Sequence, residues 1–277
     1  MRVDAHQHFW RVSRGDYGWL TPEDHPAICR DFGPDDLAPL LEDAGVERTV
    51  LVQAAPTAGE TAYLLGLAAT APMVAGVVGW ADLAAPDASA RIEEMAKADG
   101  KLLGLRPMLQ DLADDAWILR PELASALDAM EEASLTFDAL VKPRHLPHLA
   151  KLIEARPELP VVIDHGAKPD IAAGELEGWA AHMRRLGRGT AAFCKLSGLV
   201  TEARADWRAA DLRPYVDVLL EAFGASRLMW GSDWPVVNEA GGYAAWHSTA
   251  DALLETCSVE ERDLIFGWTA QHFYCFA

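Results

Sequence analysis

Two histidines stand one residue apart near the start of the chain, His6 and His8 in the run DAHQHFW. Alternate side chains of an extended strand share a face, whereas on a helix the two rings would diverge by about 200°. The pair therefore makes chemical sense on a strand, either as a metal chelate or as two surface histidines on a sheet edge. Two later residues bear on that choice: His165 ends the apolar run VVIDHGA and Asp233 lies in MWGSDWP. Three imidazoles and one carboxylate suit a borderline divalent ion such as Zn²⁺, with water in an open position. A carboxylate beside such water can act as general base, and the ion can lower the water pKa and polarise a carbonyl. Asp233 is the expected base.

For these residues to meet, the elements that carry them must converge. Eight short β-branched or Leu-rich runs read as strands, beginning at Arg2, Arg48, Met73, Leu102, Leu135, Pro160, Thr190 and Arg227. Segments of helical length lie between them. PDDLAPLLEDAG, from Pro34, has Pro and acids in its first turn and Gly45 at its end, the expected asymmetry of helix termini. PELASALDAMEEA, ELEGWAAHMRRLG and LRPYVDVLLEAFG repeat the pattern. Strands alternating with helices imply parallel pairing through right-handed crossovers. Eight such units in 277 residues predict an α/β fold, a single-domain (β/α)8 TIM barrel spanning residues 1–277. An open doubly wound sheet is the rival, but no GxGxxG follows the first strand and no composition break separates two domains. The segment between Trp10 and Asp31 is too long for an ordinary turn and is expected to form a loop over the barrel mouth. In this architecture the site lies at the C-terminal ends of the strands. His6 and His8 end the first, His165 the sixth and Asp233 the eighth, so all four are expected on one rim as metal ligands.

Composition narrows the partners. A formal charge of −18, with no basic cluster longer than RRLGR at 184–188, argues against nucleic acid. Ten tryptophans fit a polyol-binding enzyme loosely and core filling equally well. Cys29, Cys194, Cys257 and Cys275 form no CxxC pair and read as reduced, mostly buried thiols. The HxH pattern begins too early to leave room for an export signal, so a cytoplasmic protein is expected. Thr61–Ala81 carries no charge and is long enough to span a bilayer, but Pro72 and three glycines divide it into a helix and a strand of a soluble core. No membrane partner is expected, and the oligomeric state is open.

With HxH after the first strand, DH closing the sixth and GSDWP closing the eighth, the sequence resembles the amidohydrolase superfamily. The end-to-end pattern DAHQHFW, VLVQAAP, GLRPML, CKLSGL and WGSDWPV is similar to its branch of sugar-lactone hydrolases. The resemblance implies hydrolysis of an aldonolactone to the sugar acid, with Asp233 activating water. Metal-rich members carry a Lys or Glu ligand at the end of the fifth strand. Here Asp138 lies in mid-strand and Lys142 precedes Pro143, which points away from a two-metal centre. One Zn²⁺ is the expected ion, and relatives thought to work without metal make it dispensable, with the histidines, His165 among them, holding substrate.

Lactone chemistry gives roles to other rim residues. The attacked ester carbonyl develops an oxyanion, and Arg106, in GLRP at the end of the fourth strand, is the candidate to stabilise it or to bind a hydroxyl pair. Gln53, Trp80 and Trp10 are candidates to hydrogen-bond or stack against a polyol ring, or else they pack. Lys142 and His145 are candidate hydroxyl ligands. Lys195 and Ser197 share a strand face, and a buried Lys195 would need Asp138 or another acid as partner. His25, His148, His182, His247 and His272 read as ordinary surface or helix residues. Rival functions are a metal-dependent decarboxylase or a hydrolase of an acidic pyrone-type lactone on the same scaffold, a metal-dependent deoxyribonuclease, and a non-catalytic carbohydrate-binding barrel. A strongly acidic substrate would call for several basic rim residues, where the sequence offers Arg106 and Lys142.

Overall fold

The computed structural model describes residues 1–98 and 100–276. Eight parallel strands follow one another around a single sheet in chain order. They are β1 (Val3–Gln7), β2 (Arg48–Val52), β3 (Val74–Gly79), β4 (Leu102–Leu105), β5 (Thr136–Ala139), β6 (Val161–Ile163), β7 (Phe193–Leu196) and β8 (Leu228–Trp230). The helices between them are α1 (Pro34–Ala44), α2 (Ala58–Ala68), α3 (Ala88–Ala98), α4 (Ala124–Glu132), α5 (Leu146–Ala155), α6 (Glu177–Gly189), α7 (Ala209–Phe223) and α8 (Tyr243–Leu253). The (β/α)8 barrel and all eight expected strands are therefore present. The helix from PELASALDAMEEA begins with a tighter 3₁₀ turn, Pro121–Leu123, before α4. Thr61–Ala81 divides at Pro72 into α2 and β3, and no helix among the described residues is long and apolar enough to cross a membrane.

Local chemistry sets the helix ends. In α1, Pro34 sits at the start, the Asp36 carboxylate accepts the Gly33 N–H at 3.0 Å, and Gly45 ends the helix in the left-handed region at φ +65°. Apolar faces of the helices pack on the outside of the strands. Inside the barrel, Val50, Val52, Val78, Val162 and Met229 form a second, smaller core that Phe273 and Tyr274 cap from the C-terminal helix, Thr269–Tyr274. The cysteines are all free. Cys194 is buried, but Cys29 and Cys257 are half-buried and Cys275 is exposed, so the expectation of mostly buried thiols holds for one of the four.

The barrel closes between its first and last strands through a short seam beyond the end of β8. Gln7 bridges Trp234, the His8 N–H donates to the Trp234 carbonyl at 2.7 Å, and the Asp233 N–H donates to the His6 carbonyl at 2.8 Å. The buried Asp4 carboxylate accepts the Ser232 N–H at 2.8 Å in the same seam. Gly231 is required there, because a Cβ on it would lie 2.7 Å from His6 Cβ and 3.0 Å from His6 N. β1 also carries one residue more than β2 between the pairs Asp4–Thr49 and Gln7–Leu51. Such a bulge re-aims the side chains that follow it, so simple alternation does not describe this strand end.

The loop from Trp10 to Phe32 is pinned at its base by paired backbone hydrogen bonds between those two residues, both 3.0 Å. Its far side is tied to the rim where the Trp19 indole N–H donates to the Ala54 carbonyl at 2.9 Å. Ala54 belongs to a turn organised by Glu60, whose fully buried carboxylate accepts the N–H groups of Ala54 (3.0 Å) and Ala55 (2.7 Å). Burial pushes the Glu60 carboxyl up to about 7, and these backbone bonds only partly offset it. A carboxyl whose folded pKa lies above its unfolded value binds more protons when folded, so its contribution to stability falls as pH rises from about 4.5 to about 7. Glu60→Gln keeps an acceptor and removes the titration. Chemical denaturation at a series of pH values is expected to show the parent chain losing more stability across that window than Glu60→Gln, by on the order of 3 kcal/mol.

Candidate active site

The closing seam delivers the site. Asp233 follows β8 with φ +59°, an uncommon backbone for a residue with a side chain, costing on the order of 1–2 kcal/mol. The conformation is held by the bond from its N–H to His6. Its carboxylate is buried, and three imidazoles surround one of its oxygens. Asp233 Oδ1 lies 3.3 Å from His8 Nε2, 3.8 Å from His6 Nε2 and 3.9 Å from His165 Nε2. The four residues expected on one rim are thus brought to one point.

Second partners decide what those rings can do. His8 Nδ1 is 2.8 Å from the Val52 carbonyl, which can only accept, so Nδ1 carries the hydrogen. A neutral His8 then turns a bare Nε2 towards a carboxylate oxygen, an arrangement that is stable only with a proton or a cation between them. His165 comes from a run of left-handed residues after β6, with φ between +49° and +63° from His165 to Lys168. Its Nδ1 pairs with the Ser197 hydroxyl at 2.9 Å. The ring lies so close to Gly198 that a Cβ there would be 2.5 Å from Nδ1. His6 Nδ1 lies 3.1 Å from Lys195 Nζ and 3.5 Å from Asp164 Oδ1. With the ammonium as donor, His6 Nε2 carries the hydrogen; with Asp164 as acceptor, Nε2 is free to bind a metal.

Burial pushes the His165 imidazole down to about 4, against the opposing pull of Asp233 and Asp164. Burial and then the Lys195 charge lower His6 as well. For Asp233, burial works to raise the carboxyl, but His165, the His8 bond and His6 outweigh it and hold it well below the usual carboxylate range. A single divalent ion fits the donors of His6, His165 and Asp233, with His8 Nε2 beside the Asp233 oxygen. Donors to one tetrahedral Zn²⁺ lie roughly 3.3–3.5 Å apart. The separations around Asp233 Oδ1 match to within a few tenths of an ångström, and one donor atom each from His6, His165 and Asp233 lie within 4.8 Å of one another.

Arg106 opposes that ion. Its Nη1 is 3.4 Å from His6 Nε2 and 3.3 Å from Asp164 Oδ2, and its Nη2 donates to the Gln53 carbonyl. Its Nε is buried without a hydrogen-bond partner. Behind the site Lys195 is fully buried, 2.7 Å from Asp138 and 3.0 Å from Asp164, and the Tyr274 hydroxyl donates to Asp138 at 2.5 Å. Lys195 therefore has the Asp138 partner the strand face predicts. Two carboxylates and two cations, Lys195 and Arg106, balance inside the barrel. The ammonium occupies the interior beside His6.

Above Asp233 opens a cavity of about 350 Å³, lined by His8, Arg106 and His165 and walled by Trp19, His25, Met108, Gln110, Asp111, Leu140, Lys168 and Val236. Other residues singled out in the sequence lie elsewhere. Trp10 is fully buried at the loop base, its indole donating to the Arg30 carbonyl at 2.8 Å. Gln53 is buried and donates to the Arg106 carbonyl at 2.7 Å. Lys142 is exposed, while His145 is buried and accepts the Lys142 N–H at 2.9 Å. Trp80 lines an adjoining cavity. His25, read from sequence as an ordinary surface histidine, instead reaches the cavity wall and bonds Glu239 at 2.9 Å, tying the loop to the segment after β8. Lys168 is a wall residue that no sequence pattern marked.

The close approach of Gly198 to His165 gives a sharp test. In Gly198→Ala the new methyl displaces the imidazole and strains a backbone at φ +64°. We expect kcat/KM to fall at least tenfold and stability by about 1–3 kcal/mol, read by initial rates and thermal unfolding of the purified variant.

Comparison with known proteins agrees with this geometry. The profile of the amidohydrolase family matches residues 3–276. Among curated proteins the chain is 49% identical, over 99% of its length and 95% of the relative's, to L-fucono-1,5-lactonase of Burkholderia ambifaria. It is 38% identical, over 99% and 96%, to L-fucono-1,5-lactonase of Burkholderia multivorans. A crystal structure of an amidohydrolase from Burkholderia multivorans with bound zinc superposes with a TM-score of 0.94 at 37% identity, covering all of both chains. This chain belongs to the amidohydrolase family.

Proposed function

We propose that this protein hydrolyses the ring ester of a neutral sugar lactone to the open-chain sugar acid. The observation that carries this reading is the Asp233 carboxylate ringed by three imidazoles on the floor of a cavity that also holds Arg106, whose Nε is buried without a partner. The name borne by both Burkholderia relatives supports it and makes L-fucono-1,5-lactone the first substrate to try.

Asp233 accepts a proton from water as the water oxygen bonds to the lactone carbonyl carbon. Arg106 donates to the carbonyl oxygen as negative charge builds on it. Collapse of the tetrahedral adduct breaks the bond to the ring oxygen, and the proton held at Asp233 passes to that oxygen, leaving a hydroxy acid. Ser197 and Gly198 hold the His165 ring in register with the carboxylate. His6, His8, His165 and Asp233 are the residues that would hold one divalent ion, zinc first among the candidates, which when bound would polarise the carbonyl and lower the pKa of water. The walls fit a neutral substrate. Both cations of the cavity are already engaged, Arg106 by Asp164 and Lys168 by Glu202 at 3.5 Å, while Asp111 adds negative charge. A dicarboxylate of the pyrone type would find both cations among the described lining residues of this cavity already paired with carboxylates. Four free cysteines support a reducing, cytosolic setting.

A proton-release assay over a panel of aldono-1,5- and 1,4-lactones, with and without chelator, tests the reading. Turnover of at least one neutral sugar lactone is expected, and inactivity on the whole panel overturns the reading. Asp233→Asn should lower kcat by about 10²–10⁴ and Arg106→Met by about 10²–10³. A chelator-treated enzyme that keeps its rate shows the ion to be dispensable.

A further inference from the structure

Beside the catalytic cavity lies a second one of about 540 Å³, which adjoins it along Trp19, Met108 and Asp111. Resting on the lactonase reading, we propose that it receives a neutral apolar substituent of the lactone ring, so that the enzyme also hydrolyses alkyl- or aryl-substituted lactones. The lining carries the argument. Three half-buried indoles, Trp19, Trp80 and Trp117, face it together with Pro56, Pro107 and Leu83. Its charged side chains are all carboxylates, Asp16, Asp82 and Asp111. A second sugar ring would surrender water from its hydroxyls to walls whose side-chain hydrogen-bond partners are these acids and the indole N–H groups, that of Trp19 already given to the Ala54 carbonyl. An anionic group would meet the acids as like charges. A hydrocarbon group loses nothing there and gains by leaving water.

Continuity with the reacting centre follows from the chain. Arg106 points into the catalytic cavity, and Pro107 and Met108, the next two residues, turn the chain along the second one. The partition is soft: Met108 is flexible and half-buried, and the Asp111 side chain is exposed. A ring held with its carbonyl at Arg106 therefore has a substituent's length to cross, and the indole faces lie beyond.

Two series of 1,5-lactones test the assignment, with straight alkyl chains of increasing length either next to the carbonyl or on the carbon bearing the ring oxygen. In one series at least, kcat/KM should rise by up to about fourfold per buried methylene until the chain outgrows the cavity. A terminal carboxylate should cancel the gain. Ala84→Trp, a plug at an exposed position of the lining, and Trp117→Ala should both flatten the rise while leaving the unsubstituted lactone unchanged. Flat kinetics in both series, or an equal gain with the carboxylate-ended chains, overturns the proposal.

Titrating the same lactones onto Asp233→Asn, followed by tryptophan fluorescence, reads binding apart from turnover. Binding that tightens with chain length, with no lactone turned over by the parent enzyme, sinks the lactonase reading and leaves the cavity assignment standing. Sugar lactones turned over, with neither rates nor binding responding to the chain, sinks the assignment alone.

Discussion

The backbone pairing between the segment after β1 and the segment after β8 is the interaction on which the site depends. It consists of a few hydrogen bonds, His8 to Trp234 and Asp233 to His6, yet it closes the barrel and brings Asp233 to two of its three imidazoles, His6 and His8, in one act. A parallel barrel has no edge strand only if its last strand meets its first. Here the meeting point is displaced beyond β8, into residues whose side chains form the candidate site. The left-handed backbone of Asp233 and the absence of a Cβ at Gly231 are consequences of that choice, since both let the two segments approach within hydrogen-bonding distance. Folding cannot be completed at the seam without bringing Asp233 to His6 and His8, and Asp233 cannot shift without loosening the barrel.

The charges beneath the site follow a similar economy. A lysine inside a barrel costs several kcal/mol unless its charge is matched. Lys195 meets Asp138 and Asp164 at ion-pair distance and His6 at hydrogen-bond distance. Because Asp164 also engages Arg106, the buried charges form one chain running from the Tyr274 hydroxyl at the closed end of the barrel to the guanidinium at its mouth. Burial alone would raise the Asp164 carboxyl, but Lys195 and then His6 hold it well below the usual carboxylate range. An ionised Asp164 in turn fixes the Arg106 guanidinium at the floor of the cavity. Electrostatic preorganisation of this kind requires a rigid, dry interior, which strands supply and loops do not.

What could be read in the sequence divides along that same line. The period of strands and helices, the barrel, and the convergence of His6, His8, His165 and Asp233 were all legible, because strand ends in a closed barrel have fixed places and short motifs marked them. The partner of Lys195 was legible for the same reason, as a charge on an inward strand face needs an opposite one. Alternation along β1 was an incomplete guide, because a one-residue bulge between Asp4 and Gln7 intervenes and nothing in the local composition announces it. Trp10 and Trp80 shared one candidate role and take different places, one plugging the loop base and the other facing the second cavity. Hydrophobicity alone cannot separate an indole that packs from one that lines a wall.

The walls were the least legible part, and their origin explains why. Trp19 and His25 come from the loop after β1, Gln110 and Asp111 from the segment after β4, and Lys168 from the left-handed turn after β6. Their positions depend on particular tertiary contacts, such as the Trp19 indole on the Ala54 carbonyl and His25 on Glu239, and not on any repeating register. The two kinds of residue carry different duties. In the proposed mechanism those set by strand register activate water and meet the carbonyl, while those set by loops line the walls above them. Substitution in the loops can therefore alter the accepted lactone without disturbing the closing seam, whereas a change in the seam puts chemistry and fold at risk together.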